Sequence, residues 1–232
     1  MIFQNSMNAL NPVLRIKKQI VPAIQLHEDI SDQEATSKML ELIDLVRLRP
    51  SIVDSYPHEL SDGMKQRVMI ALSLICNPKL LICDEPNTAL DVVVQDQILQ
   101  EIKNIQKKLN FSLIMVSHDI STVFETCEKL FVMYGGKIVE YGDSISIYKN
   151  PRHPYMAALL KSFPSIRGDL KQLISIPGST VDLVNPPQGC RFEPRCKFAQ
   201  SICKKESPPL IELVPNEHYS LCHFAKEGIF KW

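Results

Sequence analysis

Apolar and polar positions alternate along the chain with periods that change from segment to segment. Ser31, followed three residues later by Glu34, makes a capping box, and Met39, Leu40, Leu42, Ile43, Leu45 and Val46 then recur at helical spacing until Pro50. The pattern predicts an amphipathic helix over 32–48. A second helix is expected over 63–76, with Val68, Ile70, Ala71, Leu74 and Ile75 inward and Asn77-Pro78 closing it. Residues 79–83 are short and continuously apolar, as in a strand buried on both faces of a parallel sheet. A helix over 92–109 and a strand over 112–116 follow, and this alternation predicts a right-handed parallel α/β layer. Leu130–Tyr134 and Lys137–Tyr141, joined by Gly135-Gly136, read as a hairpin with a two-glycine turn. Residues 1–12 read as a few strand residues running out into a polar loop.

Beyond residue 150 the texture becomes rich in proline and cysteine. A boundary near Asn150-Pro151 is expected, with residues 1–150 as one domain, including a helical subdomain at about 13–77, and 151–232 as a loop-rich extension. Lys plus Arg and Asp plus Glu both number 26, so no global field draws the protein to nucleic acid or anionic lipid. No stretch has the roughly 18 apolar residues of a spanning helix, and the first residues lack a secretory apolar region, so a cytoplasmic location is expected.

Several positions carry chemistry. Asp84 and Glu85 stand where a parallel strand delivers its C-terminal end to a ligand crevice, and phosphoryl transfer needs one carboxylate for Mg²⁺ and one for the attacking water. A simple cap before Pro86 is the plainer reading of Asp84 alone. His118 ends the next strand, where its ring could bridge a γ-phosphate and water or serve only as a polar cap. Ser61-Asp62-Gly63 precedes a helix, so its N–H groups could receive a phosphate or merely form a capped turn. Asp91, after Ala89-Leu90, could reach across a dimer seam or cap the following helix. Gln4 alone is a weak signal.

Four of the seven cysteines, Cys190, Cys196, Cys203 and Cys222, form C-x5-C-x6-C-x18-C. Four thiolates suit a [4Fe–4S] cluster or tetrahedral Zn²⁺, with His218 and His223 as spare zinc ligands. Arg191, Arg195, Lys197, Lys204 and Lys205 are expected to lower the thiol pKa values. Cys76, Cys83 and Cys127 lie in apolar patterns and are expected to be buried.

In order and approximate spacing, Gln4, Leu60–Gln66, Asp84-Glu85, Ala89-Leu90-Asp91 and His118 resemble the Q-loop, signature, Walker B, D-loop and H-loop of ABC ATPases. More finely, residues 1–12, Asn150-Pro151-Arg152-His153-Pro154-Tyr155 and the segment from Gly189 to Cys196 are similar to the ATP-binding subunits of oligopeptide and dipeptide importers, a group that also carries nickel. The resemblance implies an α/β fold with an incomplete P-loop NTPase-like parallel sheet, a helical subdomain and a cysteine-containing C-terminal extension. It implies ATP and Mg²⁺ as cofactors, with a [4Fe–4S] cluster or Zn²⁺ on the cysteines. Asp84 would hold Mg²⁺, Glu85 would act as base or water-orienter, and His118 would sense the γ-phosphate. Gln4 and Asp91 would line the nucleotide site, while Ser61, Asp62 and Gly63 would face the ATP of a second subunit. Implied partners are that second ATP-binding subunit, identical or not, and integral-membrane permease subunits, with the chain peripheral on the inner membrane face.

Two departures stand out. None of the eight glycines opens a G-x-x-x-x-G-K-[ST] loop, so the chain by itself is expected neither to bind nor to hydrolyse ATP. Asp62 occupies a signature position usually held by glycine. A non-catalytic adaptor that lends its signature face to a complete ATPase is the alternative, and a chromosome-associated ABC protein is disfavoured by the neutral charge and the lack of a coiled-coil insertion.

Overall fold

The computed structural model describes residues 1–4, 6–86, 91–162, 175–228 and 230, without the side chains of Ser6, Met7 and Val92. The chain divides into two compact units, Met1–Thr122 and Val123–Trp232.

In the first unit, α1 (Ile16–His27) buries Ile16, Ile20 and Ile24, one apolar residue per turn. The expected capping box is present on α2 (Asp32–Leu45), where Ser31 and Glu34 bond each other's backbone N–H. That helix ends three residues earlier than the apolar pattern suggests. Arg47 turns into the left-handed region at φ 54, and the Leu48 N–H closes back on Ile43 O at 3.0 Å, satisfying a terminal carbonyl before Pro50. α3 (Asp62–Leu74) places Val68, Ile70, Ala71 and Leu74 in the core, and Ile75 follows just beyond its end.

β1 (Leu80–Asp84) and β2 (Ser112–Val116) are parallel and joined by α4 (Val92–Leu109), as the alternation of patterns predicts. Ile2 extends the layer by a parallel bridge to Cys83. Ile98, Ile102 and Ile105 line the inner face of α4. β2 is less covered than its composition suggests: Ile114 and Val116 are 48% and 49% exposed, and among the described residues β2 pairs only with β1. α5 (Ile120–Thr126) spans the point at which one unit ends and the next begins.

In the second unit, β3 (Lys129–Tyr134) and β4 (Lys137–Asp143) form the expected hairpin. Gly135 and Gly136 have φ 56 and 75, the conformation that a tight primed turn demands of both positions. α6 (Ser144–Lys149), α7 (Pro154–Ser162), α8 (Ser201–Lys205), β5 (Ile211–Val214) and β6 (His218–Ser220) follow. The sheet order is β3-β4-β6-β5, all antiparallel. The hairpin thus shares a sheet with residues beyond 200, and the compositional break at Asn150-Pro151 falls inside this unit. Phe192 is its fully buried centre, with Tyr134, Tyr155 and His153 around it at ring distances of 5.1, 5.4 and 5.8 Å.

Candidate functional site

The C-terminal edge of the parallel pair gathers three of the expected side chains. The Ile2 backbone is held by Ile2 N–H to Ile82 O at 2.8 Å and Asp84 N–H to Ile2 O at 2.9 Å, which delivers Gln4 to the end of β1. Glu85 follows Asp84, and its N–H donates to Val116 O at 2.9 Å, carrying the ladder one step past both strands. At φ 46 Glu85 occupies a region that non-glycine residues seldom adopt, a local strain of about 1–3 kcal/mol kept where surrounding bonds over-determine it. Both carboxylate oxygens are engaged: Gln4 Nε2 donates to Oε2 at 2.8 Å, and His118 Nδ1 lies 2.9 Å from Oε1. The Glu85 side chain is 20% exposed and that of His118 79%, so the carboxylate sits back while the imidazole faces solvent. Behind His118, Asp119 bonds Ser121 N–H and Thr122 Oγ1, fixing the start of α5. An ionised carboxylate oriented by one amide and one imidazole can accept a proton from, or align, a water molecule.

The signature segment lies elsewhere in this unit, at the start of α3. Ser61 caps that helix, its Oγ accepting from Met64 N–H at 3.4 Å, and Asp62 pairs with Lys65 at 3.0 Å. Ser61 and Asp62 are exposed. Gly63 packs against α4: a Cβ there would stand 3.0 Å from Val94 Cγ1. Asp91 caps α4 through Oδ1, which accepts from Val93 and Val94 N–H at 3.1 and 3.0 Å. The simpler reading of Asp91 as an N-cap therefore describes its bonds, while Ala89 and Leu90 lie outside the described residues. Among the described hydrogen bonds, none joins Ser61, Asp62, Gly63 or Asp91 to the Gln4–Glu85–His118 group.

The cysteines depart from expectation. Cys190, Cys196, Cys203 and Cys222 do line one cavity, together with His153, Phe192, Phe198 and His223, but its volume is about 20 Å³, room for one water molecule. Among the described residues no three His, Cys, Asp or Glu side chains converge to hold a metal ion. A water-sized cavity has no room for a [4Fe–4S] cube, the described side chains form no group that would hold zinc, and His218 is committed to Glu140. Three of the thiols are also made less acidic, not more. Burial pushes Cys190 up, Cys196 to about 11 and Cys222 to about 12. Three of the five basic residues that were to lower them are turned to other acceptors: Arg191 to Gly135 O, Arg195 to Pro177 O and Ile176 O, and Lys204 towards Glu193. Of the remaining cysteines, Cys83 is buried as expected, Cys127 is half-buried and Cys76 is exposed.

Two buried polar groups escaped the sequence reading. Glu101, 4% exposed, forms an ion pair with Arg67, and Arg67 Nη1 also donates to Val46 O at 3.0 Å. A signal existed: Glu101 falls on the same face of α4 as Ile98, Ile102 and Ile105, a lone charge in an apolar stripe. Burial raises the Glu101 pKa more than Arg67 and Arg47 lower it. In the second unit Glu140, fully buried, accepts from Arg152 N–H at 2.7 Å, His153 N–H at 3.1 Å and His218 Nε2 at 2.9 Å. Burial is again the largest influence and raises its pKa.

Residues 1–88 match the family described as ABC transporter, and residues 139–203 that described as oligopeptide/dipeptide transporter, C-terminal region. The chain is 43% identical over 227 residues to the dipeptide transport ATP-binding protein DppD of Caldanaerobacter subterraneus subsp. tengcongensis, covering 97% of this chain and 69% of that protein. It is 42% identical over 217 residues to the oligopeptide transport ATP-binding protein OppD of Escherichia coli K12, covering 93% and 64%. Among solved structures it resembles cbiO1 of Clostridium perfringens, part of an ABC transporter complex, with TM-score 0.58 and 26% identity over 68% of this chain and 62% of that one. It also shares the fold of the ATP-binding cassette MJ0796, with TM-score 0.53 and 24% identity over 62% of each chain. The chain thus spans about two thirds of the length of these curated relatives. Among the described residues no helix is long and apolar enough to cross a membrane. With 43% identity reaching across 69% of a dipeptide-transport relative, and with both family matches in order along it, the chain belongs to the ATP-binding proteins of the oligopeptide/dipeptide group of ABC transporters.

Proposed function

We propose that this chain is the energy-coupling part of a peptide importer, working at a nucleotide site shared with a second ATP-binding subunit and docked on membrane permeases at the inner face of the membrane. The observation that carries the reading is the Gln4–Glu85–His118 group at the C-terminal edge of parallel strands, where α/β folds bind their ligands. MgATP would supply the phosphoryl group, and Asp84, which ends β1, would hold its metal. Glu85 orients the attacking water and takes up its proton, while Gln4 Nε2 and His118 Nδ1 fix the two carboxylate oxygens. With Nδ1 occupied by Glu85, the second ring nitrogen of His118 is the one left to meet the γ-phosphate. Ser61 and Gly63, on the exposed start of α3, serve the nucleotide of the partner subunit, and Asp91 lies at the start of the neighbouring helix.

The exposure of Ser61 and Asp62 at the start of α3 supports a second reading: the chain pairs with a complete ATPase and lends only its α3 face. One experiment separates the two. The chain is assembled with permease subunits and a complete ATP-binding subunit in proteoliposomes, and ATP hydrolysis and peptide uptake are measured. Replacing Glu85 with Gln should lower hydrolysis by about 10²-fold or more if its own edge is catalytic. Unchanged hydrolysis, combined with loss on Ser61→Arg, selects the adaptor. Indifference to both substitutions overturns the shared site.

A further inference from the structure

The helix that begins with the signature segment and the helix that follows the carboxylate strand share a seam with two named contacts. At the site end Gly63 lies against Val94, close enough that a single added methyl group would stand 3.0 Å from Val94 Cγ1. One turn further along α3, Arg67 forms its ion pair with Glu101 of α4. The guanidinium simultaneously holds Val46 O at the end of α2, at 3.0 Å. Three helices therefore meet at one buried charge pair, with side-chain exposures of 17% and 4%. The N-caps of the two helices, Ser61 and Asp91, stand at the Gly63–Val94 end of the same seam. Neither oxygen of the Glu101 carboxylate meets a well-aligned hydrogen-bond donor among the described residues, so the carboxylate depends on its ion pair with Arg67 and on the charge of Arg47.

We infer that Arg67 and Glu101 are positioning residues for the composite nucleotide site: they hold the Ser61–Gly63 face in register with Asp91 and, through β1, with Glu85. This rests on the shared-site reading above. Sliding α3 along α4 would separate two charges away from water, and breaking a buried pair on one side only is strongly destabilising. The α2–α3 layer is thereby tied to α4, so that a ligand pressed on Ser61 is held at a set distance from the strand that carries Glu85. An apolar pair of similar volume would preserve packing and stability, as replacements of buried ion pairs often do, while giving up the directional link.

The test compares wild type, Arg67→Met/Glu101→Leu and Glu101→Gln. Urea melts give the stability of each, and ATP-dependent pairing with a complete ATP-binding subunit gives the association constant. The double variant should match wild type in stability yet pair at least tenfold more weakly. Glu101→Gln, which keeps the side chain's size and an acceptor for Arg67, should pair severalfold more weakly and provides the measurement if the double variant does not fold. Wild-type pairing by both folded variants, or by Glu101→Gln if only it folds, shows the pair to be merely structural and overturns the inference. Absence of ATP-dependent pairing by wild type itself removes the shared site, and the inference with it.

Discussion

His153 makes the second unit sensitive to acid in a calculable way. It is 1% exposed beside Phe192, and its Nδ1 accepts the Tyr155 N–H at 3.1 Å. Accepting that bond requires an unprotonated Nδ1; a protonated ring would set one donor against another. Burial pushes the pKa of this histidine down to about 3, from 6.5 in the unfolded chain. A depressed histidine contributes stability that is fully present above 6.5 and is lost as pH falls towards 3, because only the unfolded chain takes up the proton. One proton corresponds to about 1.4 kcal/mol per pH unit, so going from pH 7.5 to 5.0 should remove about 2 kcal/mol. Glu140 acts in the opposite direction: its raised pKa favours the folded state as it becomes protonated, so acidification returns stability through that group. Comparison with His153→Gln isolates the histidine, since Glu140 and the other titrating groups are common to both proteins. Urea melts followed by far-UV circular dichroism at pH 7.5, 6.5, 5.5 and 5.0 give the difference in stability between wild type and variant. That difference should shrink by about 2 kcal/mol in favour of the variant as pH falls. A difference independent of pH would refute the neutral buried ring.

Asp62→Gly removes a carboxylate from the exposed α3 face; because Lys65 already pairs with it at 3.0 Å and its side chain is 60% exposed, the gain in ATP-dependent pairing should be about fivefold, roughly 1 kcal/mol, and an unchanged association constant counts against a phosphate near Ser61. Gly63→Ala should weaken pairing by forcing α3 away from Val94, and adding Val94→Ala should restore it; failure of that rescue would mean that the close approach does not matter. In metal-free protein at pH 8 the thiolate fractions of Cys196 and Cys222 should be about 100-fold and 1000-fold below that of a thiol with the usual pKa of 9, so Ellman's reagent should modify exposed Cys76 well before them; a fast phase that includes the cavity cysteines would show that they are not buried as neutral thiols.

Short-range patterns were sufficient for much of this protein. The Ser31–Glu34 box, the apolar run of β1, the span of α4 and the Gly135-Gly136 turn are local consequences of residue type, and each is present in the structure. The motif order also singled out Gln4, Glu85 and His118. Their union on one carboxylate was not legible, because it joins residues 81 and 33 positions apart through a left-handed backbone turn at Glu85. The same holds for Glu140 and His218, separated by 78 residues, whose bond accompanies the pairing of the hairpin with β6. Basic residues near cysteines in the chain suggested acidic thiols, yet Arg191 and Arg195 bond elsewhere and burial dominates at Cys196. Residue type and spacing thus set helices, turns and the chemistry on offer. Which charges face each other, and whether water reaches them, followed only from long-range packing, since desolvation and hydrogen-bond partners are properties of the folded environment rather than of neighbours along the chain.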